Sequence, residues 1–392
     1  MATIAKRGDT YRIRCSLGYD SKGKQIIRST TWKPEPGMTE KQVEKELNRF
    51  AVLFEEKCRS GGGNPHITFE KFAEKWFAEY ADTHLKAKTV HEYRWMSRRT
   101  YQALGHIRID KLKPQHFREF FAQLAEPGQN EHNGKPLSPK TVWNYYGFCS
   151  SIMGYAVKNE LIERNPCSVA APKKPASKIV CLDDEQARRL LEALENEPLE
   201  DRVLFTLALL TGYRRGELLG LEWPDIDFDS GVITVRRTSQ YTNDRGMYTD
   251  TPKTASSARS TKVSPSLVEL LRRYKIEQAT VRLERGDLWV SEWAEHPRLF
   301  TNLNGTPMQP STPEKRLGRI LERAGLPHVS LHSLRHTNAT LLITGGVDVR
   351  TVAARLGHSQ TSTTMNIYAE TIRSAEAAAA QVLDDILVQK KA

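Results

Sequence analysis

The chain predicts a multidomain α+β protein: a small N-terminal β-sheet plus helix, a helical second domain, and a mainly α third domain with a small antiparallel sheet. Three observations lead there. Alternating residues flank a turn at Asp20 to Gly23, aromatic residues recur at helical spacing from Phe69, and the apolar run Val203 to Leu210 precedes two alternating stretches. The length of 392 residues suits two to three domains, and the 39% hydrophobic content is enough for real cores.

The first domain is expected over residues 1–64. Tyr11 to Leu17 alternates like a strand, Asp20 to Gly23 turns, and Gln25 to Trp32 returns. A helix from Thr39 to Cys58 follows, with Val43, Leu47, Phe50 and Phe54 on one face. Within the first 33 residues Lys6, Arg7, Arg12, Arg14, Lys22, Lys24, Arg28 and Lys33 outnumber Asp9 and Asp20. Arg12, Arg14, Lys24 and Arg28 are the candidate groove or phosphate contacts, against the alternative of a solvated basic hairpin. Ser60 to Pro65 reads as a flexible linker.

The second domain, residues 65–170, reads as four helices. Phe69, Phe72, Trp76 and Tyr80 define the first; Thr89 to Ala103, Pro114 to Leu124 and Ser138 to Asn159 give the others. The aromatics belong to its core, while Lys86, Lys88, Thr89, Tyr93, Arg94 and Lys140 are candidates for a DNA-facing side. Such contacts hold the nucleic-acid backbone and make affinity salt-dependent. A basic linker, residues 171–179, would let two domains close around a duplex as a clamp. The third domain is then expected over 180–392, with Asp183 or Asp184 capping a helix through Leu194. Its alanine-rich tail, Ile372 to Val388, has high helical propensity.

The third domain carries the chemistry. The apolar run Val203 to Leu210 reads as a buried helix ending at Gly212, so Arg214 leaves a rigid element. His332 and Arg335 open another helical stretch and, three residues apart, share a face. His358 follows the turn residue Gly357, and Tyr368 comes ten residues later. A phosphate between these groups would meet two guanidiniums and two imidazoles.

These residues give the chain its resemblance to the tyrosine recombinases of the phage-integrase family, most like those of phages and conjugative transposons of Gram-positive bacteria. The matching pieces are the Thr-Gly-x-Arg-x-x-Glu box from Thr211 to Glu217, the segment Pro252-Lys253-Thr254, and the His-x-Leu-Arg-His box from His332 to His336. Leu356-Gly357-His358 and Met365-Asn366-Ile367-Tyr368 complete the set. The resemblance implies an arm-type DNA-binding domain at the N-terminus whose sheet enters a DNA groove, a helical core-binding (SAM-like) domain, and a catalytic domain. It also implies a tail helix that packs on a neighbouring protomer, the alternative being a tail packed on its own domain.

The chemistry needs such a set. A free phenol has a pKa of about 10, so Tyr368 needs help to become a nucleophile. Attack on a phosphodiester builds negative charge on the non-bridging oxygens, which Arg214 and Arg335 can each meet with a planar, permanently charged fork. Loss of one such donor typically costs on the order of 100- to 1000-fold in rate. The 5′ oxygen that leaves must be protonated. Lys253, between the strand-like Val232 to Thr238 and Ser260 to Ser264, is placed at a mobile hairpin tip, and the family's matching lysine does this job. Arg259 and Lys262 share that hairpin and compete for the role. His332 would orient the phosphate or take the phenol's proton, and His358 would donate to a non-bridging oxygen. Glu217 would buttress Arg214 through an ion pair, and His336 is structural support or a satisfied core histidine.

Composition fits this picture. A net charge of +11 suits a polyanionic partner, with positive charge denser toward the N-terminus. Five cysteines, an odd number without metal-like spacing, point to reduced thiols in the cytosol, and the resemblance implies a bacterial cytoplasm. No phosphate-cradling Gly-Lys-Ser/Thr loop, membrane span or secretory signal is seen, and no cofactor or metal is expected. The resemblance therefore implies a site-specific recombinase acting at double-stranded DNA attachment sites as a homotetramer, with an accessory excision (directionality) factor as a further partner. The alternatives are a type IB topoisomerase-like enzyme and a non-catalytic DNA-binding regulator on the same scaffold.

Overall fold

In the computed structural model, residues 2–19, 23–59, 66–175, 180–251, 258–290 and 295–357 are described. Lys253, His358, Tyr368 and the predicted tail helix lie outside them. The chain forms two compact units, Met1–Ala176 and Ser177–Ala392.

The N-terminal unit begins with a three-stranded antiparallel sheet in the order β1-β2-β3, formed by Thr3–Arg7, Thr10–Tyr19 and Gln25–Trp32. Strand alternation sends Ile13 and Cys15 inward, and both are buried. Helix α1, Glu40–Arg59, covers that face with Leu47 and Ala51. The sequence reading lacked β1, whose five residues show no strong alternation of their own; it exists by pairing Thr3 to Arg7 along β2. Register also divides the four predicted contacts. Arg12 and Arg14 stand opposite Thr31 and Ser29, on the face away from Ile13, whereas Arg28 stands opposite buried Cys15 and so on the helix-covered face. Lys24 is exposed just before β3.

The rest of this unit is helical: α2 (Phe69–Trp76), α3 (Asp82–His84), α4 (Ala87–Leu104), α5 (Pro114–Leu124), α6 (Pro139–Lys158) and α7 (Pro166–Val169). A π turn at Phe77–Ala81 joins α2 to α3. Trp76 and Phe77 are both fully buried, and Trp76 packs against the rings of Tyr80, Tyr93 and Phe148. Tyr93 is thus turned toward the core. Lys86, Lys88, Arg94 and Lys140 are exposed, and Arg94 bonds Asp82 at 2.8 Å with its guanidinium 4.4 Å from the Phe77 ring centre.

The C-terminal unit opens with α8 (Asp184–Leu194), and Asp183 is its cap, accepting from Gln186 N at 2.8 Å. Helix α9 (Leu199–Thr211) runs through the core with Val203, Leu204, Phe205 and Leu207 fully buried. Around it lie α10 (Arg215–Gly220), α11 (Pro265–Arg285), α12 (Thr312–Arg323), α13 (Leu331–Thr344) and α14 (Val349–Leu356). A small sheet pairs β4 (Ile226–Asp227), β5 (Val232–Val235) and β8 (Arg259–Lys262), all antiparallel. A separate hairpin pairs β6 (Thr238–Thr242) with β7 (Gly246–Asp250).

The expected strand Val232 to Thr238 is therefore two strands in different sheets. The break falls at Arg236 and Arg237, and Arg237 turns inward to bond the buried carboxylates Glu222 and Asp225 at 2.9 and 2.5 Å. The stretches expected to flank Lys253 do pair, as β5 with β8, while Lys253 follows β7 in the chain and lies outside the described residues. The β6–β7 turn spans Asn243 to Arg245. Gly216 and Gly220 let this hairpin lie directly on α10. A Cβ at Gly220 would come within 2.8 Å of the Arg237 carbonyl, and one at Gly216 within 2.9 Å of the Gln240 side chain.

Candidate active site

Three helix ends converge to build the site. Helix α9 stops at Gly212, which takes the left-handed conformation (φ 64°) that a residue with a side chain adopts only under strain. The chain then turns through Tyr213, whose buried hydroxyl donates to the Ile233 carbonyl at 3.2 Å, and Arg214 becomes the N-cap of α10. Helix α14 stops in the same way at Gly357 (φ 68°). Between these two C-termini runs α13, whose N-terminus is fixed by Ser330 accepting from Ser333 N at 3.1 Å.

Helix C-termini leave carbonyls without partners and carry a partial negative charge. Arginines supply both needs. Arg335, buried to 2% exposure, donates from Nη1 to Gly212 O and from Nη2 to Leu356 O, each at 2.7 Å. Arg214 Nη2 donates to Gly357 O at 3.2 Å, and Arg259 Nε to Arg355 O at 2.7 Å. Three successive carbonyls, Arg355, Leu356 and Gly357, are thus held by three arginines from three different elements. Asn338, one turn beyond Arg335 on α13, donates to Leu209 O and Leu210 O at 2.9 and 3.1 Å, closing the end of α9.

Glu217 organises the cations. Its side chain is buried, with Oε1 accepting from Arg214 Nη1 at 2.7 Å and Oε2 from Arg259 Nη2 at 2.9 Å and the Arg214 amide at 3.0 Å. Burial pushes the Glu217 pKa up, but Arg259 and then Arg214 outweigh it, and the net shift is downward. The expected buttress of Arg214 is present, and Arg259 shares it. Arg214 keeps 37% of its side chain exposed, whereas Arg259 keeps 8%.

His332 lies in the first turn of α13 with an exposed edge. Burial of the rest of the ring, then the charges of Arg335 and Arg214, lower its pKa, with Glu217 opposing. His336 packs edge-on against it, ring centres 4.9 Å apart, and its own pKa falls to about 4 through burial, His332 and Arg335. Both shifts favour the neutral imidazole.

Arg214, His332, Arg335, Glu217 and His336 therefore come together. Lys253, His358 and Tyr368 lie outside the described residues, His358 directly following Gly357 in the chain. Sequence reasoning treated Arg259 only as a rival to Lys253 and missed Asn338, Arg355, Gly216 and Gly220. Arg259 had a signal: it shares strand parity with Thr261, which is buried, while Ser260 and Lys262 are exposed. A cation on the inward face of a strand asks for a buried anion.

Among the described residues, no group of three or more His, Cys, Asp or Glu side chains is placed to hold a metal ion. No described helix is long and apolar enough to cross a membrane.

Comparison with known proteins gives the family. Residues 181–374 match the phage integrase family, and residues 68–125 match the phage integrase N-terminal SAM-like domain. The chain is 29% identical to a protein named tyrosine recombinase XerC-like from Caldanaerobacter subterraneus subsp. tengcongensis, with 96% of each covered. It is also 29% identical to the ICEBs1 integrase of Bacillus subtilis, over 71% of this chain and 72% of that one. Among solved structures, a fragment of the Tn1549 transposon integrase in complex with circular intermediate DNA superposes with a TM-score of 0.64 at 22% identity. That match covers 80% of this chain and 99% of the fragment. The arginine-held helix ends lie within the first of these matched regions, and the chain belongs to the phage integrase family of tyrosine recombinases.

Proposed function

We propose that this site-specific recombinase cleaves and rejoins DNA through a covalent 3′-phosphotyrosyl intermediate on Tyr368, and so integrates and excises a mobile element. The observation that carries the reading is the meeting of Arg214 and Arg335, from separate stretches of sequence, at the end of α14 where the chain continues into His358, with His332 close enough to feel both charges.

Each group then has a task. The Tyr368 oxygen attacks phosphorus as its proton passes to His332, whose lowered pKa suits a neutral acceptor. Arg214 and Arg335, with His358, meet the charge that builds on the non-bridging oxygens. The bond to the 5′ oxygen breaks, and Lys253 supplies the proton that makes it a hydroxyl. The downward shift of His332 favours Lys253 over the imidazole as that donor. In the second half the Lys253 amine takes the proton of a 5′ hydroxyl from the partner strand as that oxygen attacks the phosphotyrosine, the phenol leaves and regains its proton from His332, and the phosphodiester count is unchanged. No external energy source is needed.

The surrounding domains suit long duplex partners. Arg12 and Arg14 lie on the sheet face that α1 does not cover, which supports groove or phosphate contact by that face. Lys86, Lys88, Arg94 and Lys140 are exposed cations on the helical domain. Exchange between two duplexes breaks four strands, and each chain offers one such tyrosine, so the working unit is a tetramer at paired attachment sites. The name of the ICEBs1 relative and the bacterial origin of both relatives support a mobile element in a bacterial cytoplasm. An accessory directionality factor is a further proposed partner, tested by whether the purified chain excises unaided.

The test is a nicked suicide substrate carrying the attachment site, incubated with wild type and with Tyr368→Phe. A covalent protein–DNA band from wild type alone is the expected result. Equal bands, or none, would reject Tyr368 as nucleophile. Rejoining only within one duplex would favour the topoisomerase-like alternative.

A further inference from the structure

Arg259 opens β8 and faces into the C-terminal unit. Its Nη2 donates to Glu217 Oε2 at 2.9 Å, its Nε to Arg355 O at 2.7 Å, and its guanidinium carbon lies 4.9 Å from the Tyr213 ring centre. Its Nε and Nη2 are both engaged within the fold and 8% of its side chain is exposed, whereas Arg214, which shares Glu217 with it, keeps 37% exposed.

The electrostatics give it a task. Glu217 is 1% exposed, and a buried carboxylate binds strongly to whatever cation it has. Arg259 takes part of that charge at Oε2, while Arg214 bonds Oε1 and keeps an exposed edge. Without Arg259, much more of the attraction of Glu217 would fall on Arg214 and draw its guanidinium inward. The Arg355 carbonyl would also lose its charged partner, loosening the last turn of α14, which Arg214 and Arg335 share.

We propose that Arg259 is a positioning residue for strand cleavage: by neutralising Glu217 and fixing the end of α14, it keeps Arg214 available to the scissile phosphate. The proposal rests on the reading of Arg214 as a phosphate ligand.

The experiment measures single-turnover cleavage of the nicked substrate at saturating full-length protein, together with the DNA dissociation constant and thermal midpoint. Arg259→Gln is expected to lower the cleavage constant about 10- to 100-fold, the range for groups that orient a working ligand, with the dissociation constant unchanged. Arg259→Lys keeps the charge but cannot span both acceptors as a planar fork, and is expected to recover part of the rate. If the two residues act as one unit, Glu217→Gln combined with Arg259→Gln loses no more than the worse single variant. Losses that multiply, a loss appearing wholly as weaker binding, or an unimpaired Arg259→Gln would overturn the inference. Should Arg259→Gln not fold, Arg259→Lys decides: slower cleavage at full occupancy supports the role, and wild-type cleavage overturns it. Absence of any adduct from wild type would instead remove the recombinase reading, and this inference with it.

Discussion

Arg335 donates to the carbonyl of Leu356 at 2.7 Å, and its other terminal nitrogen donates to Gly212 at the same distance. One buried guanidinium therefore ties together the C-termini of α9 and α14. The charge is compensated by two helix ends, which supply partial negative charge and carbonyls that would otherwise go unpaired. The same bonds that stabilise the fold fix the orientation of Arg335, which the proposed phosphate contact would use.

Arg335→Lys should expose this double duty. An ammonium is a point charge and cannot bond two carbonyls in one plane. Loss of one charge-assisted bond is expected to cost about 1.5–3 kcal/mol. The urea midpoint of the full chain should fall, and the covalent adduct should disappear with it. An unchanged midpoint would show that neither carbonyl depends on the fork.

Two glycines of α10 should respond differently to alanine. A Cβ at Gly220 meets the backbone of Arg237 and Thr238 at 2.8 to 3.1 Å, which cannot yield without moving β6. One at Gly216 first meets the Gln240 side chain, a flexible end, although the Ser239 carbonyl follows at 3.2 Å. Gly220→Ala is thus expected to cost more, on the order of 1–3 kcal/mol as for other overpacked positions. Equal thermal midpoints for the two variants would contradict the close seating of the hairpin.

Acid should weaken the C-terminal unit through its histidines. His336 titrates at about 4 in the fold against 6.5 for the unperturbed group, and His332 is lowered too. The unfolded chain therefore binds more protons across the window between those values, so stability falls as pH drops from 6.5 toward 4. Urea midpoints taken between pH 7 and pH 4.5 should decline over that range. In His336→Gln the decline should flatten, and an unaltered slope would assign it elsewhere.

The N-terminal sheet offers a test of parity. Arg12 and Arg14 share the uncovered face, while Arg28 shares the helix-covered face with Cys15. If both outer arginines contact phosphate, Arg12→Ala with Arg14→Ala should reduce the salt slope of duplex binding by roughly 0.9 per lost contact. Arg28→Ala should leave that slope alone. A slope altered by Arg28→Ala and untouched by the double variant would reverse the assignment.

Much of this was legible in the residues. The helices of the second domain follow from aromatic spacing that begins at Phe69, and the ends of α9 and α14 from Gly212 and Gly357. The pairing of Arg214 with Glu217 follows from their three-residue spacing at a helix start. Local signals work here because each is decided by backbone conformation or by neighbours within one turn. The split between β5 and β6 was not legible, because Arg236 and Arg237 continue an extended pattern. Buried carboxylates elsewhere in the unit decide which way Arg237 turns. Strand β1 was missed for a related reason: its pairing, rather than its own composition, makes it a strand.

The sequence by itself determined the fold class and the identity of Arg214, Arg335 and His332 as companions, since short motifs fix residue type and local geometry. Only the tertiary structure decided that Arg259 joins them and that Arg28 turns away from Arg12 and Arg14. It also decided that three arginines close on three consecutive carbonyls of α14. Those outcomes depend on which charges meet across long separations in the chain. Burial makes such meetings compulsory, since neither a guanidinium nor a helix end can be left without a partner away from water.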